Sequence, residues 1–296
     1  MATTAHLNFA ALARISDVGL RARIMVHSYF AGMHPSPRYG RNAEFASYAA
    51  YRPGDDLRDI DWRAWARSDE YFIKRYDADC TLSSYLVLDT SGSMCHAGEH
   101  TIKMCMSVTV CAALALLMLR QHDAFGLLTF ADDIVGDVPP RAHERQFTRV
   151  LAALANAPTG GVSRFAPLGP ALEQRLKRKS LIVLISDLTG DCAEIGELFE
   201  RVRFYGHELL CLRPLAVEEV QFPYHGRVIL VDAETGERQM VQAREVRAAY
   251  LENLRAHGEQ LLRCAARHAV DLETFTAHDV SIKPLAAYLV KRKMAP

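Results

Sequence analysis

The chain has 296 residues, half of them hydrophobic, with 35 basic side chains balancing 35 acidic ones. That length and apolar content suit one large α/β domain, or a domain with an appendage, and can bury a sizeable core. The charge balance removes the electrostatic case for nucleic acid or an anionic membrane as partner. Seven cysteines without a C-x-x-C pair point to free thiols in a reducing compartment.

Residues 7–32 carry leucine, isoleucine and valine at mixed helical spacing, which predicts one or two helices. Prolines and a glycine make 33–41 a loop. The block from Tyr51 to Trp62, YRPGDDLRDIDW, is too polar for a core strand and too rich in both charge signs for a flexible linker. One reading of Asp55, Asp56, Arg58, Asp61 and Arg67 is a recognition surface or a catalytic carboxylate pair. The reading preferred on physical grounds is an ion-pair network, with Trp62 as hydrophobic anchor, that pins an N-terminal segment onto the main domain. The expected division is an extension over 1–78 and a main domain over 79–296.

Residues 69–76 read as an edge strand, and 85–88 as a strand buried on both faces. Residues 102–120 form an apolar helix; its uncharged stretch, 104–119, lies between Lys103 and Arg120 and is too short for a comfortable membrane span. Strands follow at 124–130 and 134–138, then an amphipathic helix at 144–154. A break at 158–161 precedes a helix over 168–178 and a second apolar strand at 181–185. Helix 192–205 and strand 208–212 come next, then a hairpin of 227–231 and 238–241 around Glu234-Thr235-Gly236-Glu237. A long helix over 244–268, a strand at 272–275 and a helix at 285–291 end the series. Such alternation predicts a doubly wound, mostly parallel sheet flanked by helices. The first residues lack the basic-then-apolar pattern of a secretory leader, so a cytoplasmic location is the expectation.

The chemistry concentrates where the apolar strands stop. The strand at 85–88 ends in Asp89-Thr90-Ser91-Gly92-Ser93, and the strand at 181–185 ends in Ser186-Asp187. As parallel neighbours, these would bring two carboxylates to within about 5 Å. Two acids that close must share a proton or bind a cation. The hydroxyls of Ser91 and Ser93 favour a hard cation such as Mg²⁺. The blander alternative is a strand-to-helix turn whose Asp and Ser side chains cap the next helix.

The D-x-S-x-S element of Asp89, Ser91 and Ser93, with the later Asp187, resembles the metal-ion-dependent adhesion site (MIDAS) of von Willebrand factor A domains. The resemblance implies Mg²⁺, or Mn²⁺ or Ca²⁺, held directly by the two serines, with the aspartates acting through water. It also implies a middle-loop threonine, and a partner's carboxylate in the remaining position. Counting back from Ala171-Leu172 places that threonine near Ala166, which cannot ligate; Thr159 and Ser163 are the nearby hydroxyls, and Ser163 is the expected substitute.

A second resemblance rests on Gly32, His34 and Ser36, then Glu44-Phe45, then Tyr51, Pro53, Gly54, Asp55, Asp56, Arg58, Ile60, Asp61, Trp62, Ala66 and Arg67. This pattern resembles the bacterial domain-of-unknown-function family DUF58, which places such a block just ahead of a von Willebrand factor A-like domain. An arginine usual two residues before the tyrosine is replaced by Ala49. The resemblance implies a non-enzymatic interaction protein, an adaptor for a MoxR-type AAA+ ATPase or for a client protein that supplies a carboxylate. Two alternatives stand beside it: a metal-dependent hydrolase using Asp89, and a scaffold with a vestigial metal site. Against the hydrolase, Ser91 stands where a D-x-D phosphohydrolase would place its general acid, and neither a phosphate-binding loop nor a nucleophile elbow is present.

Overall fold

The computed structural model describes residues 9–32, 45–50, 72–76, 83–95, 103–277 and 283–294. Its elements, in chain order, begin with helices α1 (Phe9–Ala13) and α2 (Val18–Gly32), strands β1 (Phe45–Ala50), β2 (Phe72–Tyr76) and β3 (Ser83–Asp89), and helix α3 (Lys103–Arg120). There follow β4 (Ala124–Phe130), β5 (Ile134–Arg141), α4 (Glu144–Ala155), α5 (Leu168–Arg175), β6 (Ser180–Ile185), α6 (Cys192–Phe204) and β7 (Glu208–Pro214). The last are α7 (Val217–Gln221), β8 (Arg227–Val231), β9 (Arg238–Gln242), α8 (Ala243–Arg267), β10 (Asp271–Phe275) and α9 (Lys283–Met294).

Six strands form one sheet in the order β10-β7-β6-β3-β4-β5. Every pair is parallel except β4 with β5. The doubly wound, mostly parallel architecture is therefore as expected. Alternation along the strands divides the core in two. Leu86, Leu88, Phe125, Leu127, Leu181, Val183 and Ile185 point to one face, which α1, α2, α3, α4 and α9 cover. Tyr85, Val87, Leu128, Phe130, Ile182 and Leu184 point to the other, under α5, α6 and the C-terminal half of α8. Because both faces are covered, β3 and β6 read as continuous apolar runs. β5, at an edge, alternates half-buried and exposed residues.

Helix α3 is enclosed because the sheet lies beneath it and other helices close over it. Cys111 through Ala115 are fully buried. By length and composition α3 could cross a membrane, but 83% of it is buried inside this fold.

Two expectations change. Residues 72–76 do not edge the central sheet; β2 pairs antiparallel with β1 in a separate two-stranded sheet. β1 itself was not anticipated from the sequence. The division of the chain also differs from the expected 1–78 and 79–296. Met1–His34 groups with Leu82–Pro296, and Pro35–Thr81 is a unit by itself. The cause is apolar: Ala22, Met25 and Val26 of α2 are fully buried in the same cluster as α3. The expected ion-pair network of Asp55, Asp56, Arg58, Asp61, Trp62 and Arg67 lies outside the described residues.

Truncating Met25, wholly buried between α2 and the main core, tests this division. Met25→Ala is expected to cost about 2–5 kcal/mol in urea unfolding of the whole chain. An unchanged midpoint would return α1 and α2 to the status of an appendage.

Candidate functional site

Register decides what meets at the carboxyl end of the sheet. Leu88 of β3 is the partner of Ile185 of β6, so one step further Asp89 lies across from Ser186 rather than Asp187. The Ser186 hydroxyl donates to Asp89 Oδ2 at 2.6 Å. The Ser163 hydroxyl donates to the same oxygen at 2.7 Å, and the Ser91 backbone N–H donates to Oδ1 at 2.9 Å. Asp89 has no exposed surface, and a carboxylate so enclosed needs several donors.

Ser163 reaches Asp89 because its loop is tied to the loop after β3. The Gly92 N–H donates to the Gly161 carbonyl at 3.0 Å, and the Gly160 N–H donates to the Thr90 carbonyl at 2.8 Å. Gly160 and Gly161 both take positive φ, 124° and 80°, a backbone that only glycine adopts without strain. Of the middle-loop candidates, Ser163 is buried, whereas Thr159 and Ala166 are exposed. Ser91 and Ser93 complete the rim, their hydroxyl oxygens 3.1 Å apart.

Asp187 sits beside this group but turns its charge elsewhere. Its Oδ2 accepts from Lys103 Nζ at 2.6 Å, and the same ammonium donates to Glu219 Oε1 on α7 at 2.7 Å. Lys103 is 1% exposed. It is thus no boundary charge of α3 but a buried cation between two acids. Arg213 Nε donates to the Asp187 carbonyl at 2.9 Å, and Thr189 Oγ1 donates to Asp187 Oδ1 at 3.2 Å. The conflict between two neighbouring carboxylates therefore has a third answer beyond a shared proton or a bound ion: an internal lysine neutralises one of them.

Burial raises the Asp89 carboxyl above its ordinary range; the Ser186 hydroxyl opposes this, and the Asp187 charge adds to it. Burial alone would lower the Lys103 ammonium, but Asp187 and Glu219 outweigh it and the net direction is upward. Glu234, in the β8–β9 turn, also comes in. It accepts the Ser163 backbone N–H at 3.2 Å. Its carboxyl is raised first by burial, against the pull of that N–H, and further by the charges of Asp187 and Asp89.

The residues present suit a small divalent cation. The Ser91 and Ser93 hydroxyls hydrogen-bond to each other at 3.1 Å, a separation that also matches the spacing of about 3 Å between neighbouring oxygens in an octahedral Mg²⁺ shell. The two cations, Lys103 and Arg213, interact with Asp187 and Glu219, whereas Asp89 and Glu234 face hydroxyl or N–H donors and other acids, so a cation there would meet carboxylates that no lysine or arginine compensates. Hydroxyls carry much of the set: among the described residues no group of three or more His, Cys, Asp or Glu is arranged to hold a metal.

The structure brings Asp89, Ser91, Ser93 and Ser163 together, with Asp187 adjacent and paired to lysine. Sequence reasoning missed Ser186, Lys103, Glu219 and Glu234 as parts of the site. Ser186 was findable, since it directly precedes Asp187 at a strand end. Lys103 and Glu219 are 116 residues apart, and no spacing rule links them.

Mycobacterium bovis Mb1516 and Mycobacterium tuberculosis Rv1480, both described as uncharacterised proteins, are each 28% identical over 232 residues, covering 77% of this chain and 71% of their own. An aerotolerance-related membrane protein from Bacteroides fragilis is similar over 72% of this chain and 100% of its own, with TM-score 0.49 and 13% identity. A von Willebrand factor type A structure from Catenulispora acidiphila covers 72% of this chain and 41% of its own, with TM-score 0.42 and 10% identity. These structural likenesses are distant, and the fold rests on the strand order and register above. The sequence model of the family described as "Protein of unknown function DUF58" matches residues 47–260, and the chain belongs to the DUF58 family.

Proposed function

We propose that this chain is a non-enzymatic, divalent-cation-dependent protein-interaction module. The observation that carries the reading is the ring of hydroxyls at the end of β3. Ser91 and Ser93 lie at ligand spacing, and the buried Asp89 is held by Ser163, Ser186 and the Ser91 N–H. Ser91 and Ser93 would hold Mg²⁺ directly, with Asp89, Asp187 and Ser163 around it. A bound cation supplies positive charge that an incoming carboxylate can meet. The chain's own part is to keep the hydroxyls fixed on a rigid strand end and to hold Asp89 oriented.

The same contacts argue against Asp89 as a nucleophile. Oδ2 accepts two hydroxyl protons, Oδ1 accepts a backbone N–H, and the side chain is fully buried. A carboxylate so engaged has little freedom to attack a phosphoester. The partner we assign is a MoxR-type AAA+ ATPase, or a client it remodels, on the strength of the DUF58 resemblance. A reducing, cytoplasmic setting accords with the six free cysteines among the described residues. One observation favours a second reading: Lys103 already neutralises Asp187, as would befit a scaffold whose ion has been replaced by an ammonium.

Calorimetry with Mg²⁺ and Mn²⁺ separates the two. Binding to the natural chain is expected, weakened about 10- to 100-fold by Asp89→Asn; an absence of heat from both ions would favour the scaffold. Capture of the MoxR-type ATPase is expected to disappear on adding chelator. Generic phosphoesters with Mg²⁺ are expected to show no turnover, and turnover abolished by Asp89→Ala would overturn the non-enzymatic reading. Independently, Lys103→Met strands the charge of Asp187 in the interior and is expected to lower stability by about 3–5 kcal/mol in urea unfolding.

A further inference from the structure

The β8–β9 hairpin is built unlike the rest of the main unit. Its strands pair antiparallel, Ile229 with Met240 and Val231 with Arg238, yet none of their residues is buried. A cavity of 810 Å³, lined in part by Glu218, Phe222, Leu230 and Tyr250, lies along the ribbon. At its base the Ala243 N–H donates to the Gly226 carbonyl at 2.9 Å, and Gly226 takes a φ of 71°. The shaft thus has little packing to hold it down, and its attachment is concentrated at its base and tip.

That tip lies on the candidate cation site. A Cβ added to Gly92, between Ser91 and Ser93, would collide with the Ala233 carbonyl oxygen, so the backbones of the two turns are in direct contact. Glu234 follows, and its Oε1 accepts the backbone N–H of Ser163. Asp232 shapes the turn that presents it: Oδ1 accepts the N–H groups of Glu234 and Thr235, both at 2.8 Å. A glutamate carboxylate is therefore delivered to the loop whose serine hydroxyl holds Asp89.

We propose that this hairpin is a lid on the cation site, with Glu234 as the chain's own carboxylate in the place a partner's acid must take. The inference rests on the cation-binding reading and adds to it a self-ligand that competes with the partner. Asp89, Asp187 and Glu234 repel one another, so without a cation the tip is held against that repulsion only by the Ser163 N–H to Glu234 hydrogen bond and the Gly92–Ala233 backbone contact. A cation reverses the sign of that interaction and draws the tip down. An approaching acidic side chain then trades places with Glu234, and the loosely packed shaft swings out about Gly226. Metal affinity and lid closure are coupled reciprocally, because each stabilises the other by the same factor.

Amide hydrogen exchange read with Mn²⁺ calorimetry tests this on the full chain, using the natural protein, Glu234→Gln, and Glu237→Gln as a control acid on the same turn. Mn²⁺ is expected to slow exchange across residues 232–237 about tenfold in the natural chain and in Glu237→Gln. In Glu234→Gln the protection should vanish, and Mn²⁺ affinity should fall by a similar factor, about tenfold. If Mn²⁺ binds the natural chain without protecting the hairpin, or binds Glu234→Gln as tightly, the lid is refuted and the cation site stands. If Mn²⁺ gives no heat with the natural chain, both are refuted.

Discussion

A carboxylate with no exposed surface must be compensated where it stands. Asp89 is such a group, and the surrounding architecture can be followed outward from it. Strand β3 carries Asp89 to the carboxyl end of the sheet because Leu86, Val87 and Leu88 before it are apolar and covered on both faces. β6 supplies Ser186 by register. The glycine turn at 160–161 lets the middle loop lie against the loop after β3 and supplies Ser163. Each donor comes from a different element, so the geometry around Asp89 exists only when the sheet and its loops are assembled. A water-filled surface site would not demand such agreement, since solvent would satisfy the acid at little cost.

Lysine 103 extends the same constraint. Two acids near one another at a strand end raise each other's energy of ionisation, and burial magnifies the effect. The fold answers by placing the first residue of α3 between Asp187 and Glu219. This ties the start of a core helix to the end of one strand and to the short helix α7. A paired lysine of this kind contributes little net stability beyond what an apolar substitute would give, but removing it alone is costly. It also divides the labour of the two aspartates. Asp187 is largely neutralised from within, whereas Asp89 faces the hydroxyl ring, and the negative excess is left near Ser91, Ser93 and Glu234.

The contrast between rigid and loose parts underlies the proposed function. The hydroxyl ring stands on elements buried on all sides, so its geometry is held without help from a ligand. The β8–β9 ribbon is tethered at its base and tip and leaves Ile229, Val231 and Met240 exposed. Elements with few buried contacts are those that open at low free energy. A rigid, oxygen-lined seat beside a weakly packed strap carrying an acid is the arrangement on which the proposed exchange of one carboxylate for another rests.

Much of the plan was written in local patterns. The alternation of apolar strands and helices predicted the sheet, because strands covered on both faces have few other ways to bury themselves. The acid-and-hydroxyl cluster of Asp89, Ser91 and Ser93 pointed to the candidate site for a similarly local reason: small oxygen-bearing residues end a buried strand. Ser163 was also preferred over Thr159 and Ala166 from sequence, and the structure places its hydroxyl on Asp89. Tertiary structure alone decided the rest. The pairing of Lys103 with Asp187 and Glu219 joins residues up to 116 apart, and the approach of Glu234 to Ser163 spans 71. The membership of α1 and α2 in the main core was equally out of reach. Periodicity and spacing report what a residue prefers within a turn or two of its own chain. Charge partners are chosen by the packing of distant elements, and that choice is settled only when burial forces each ionised group to find its neighbour.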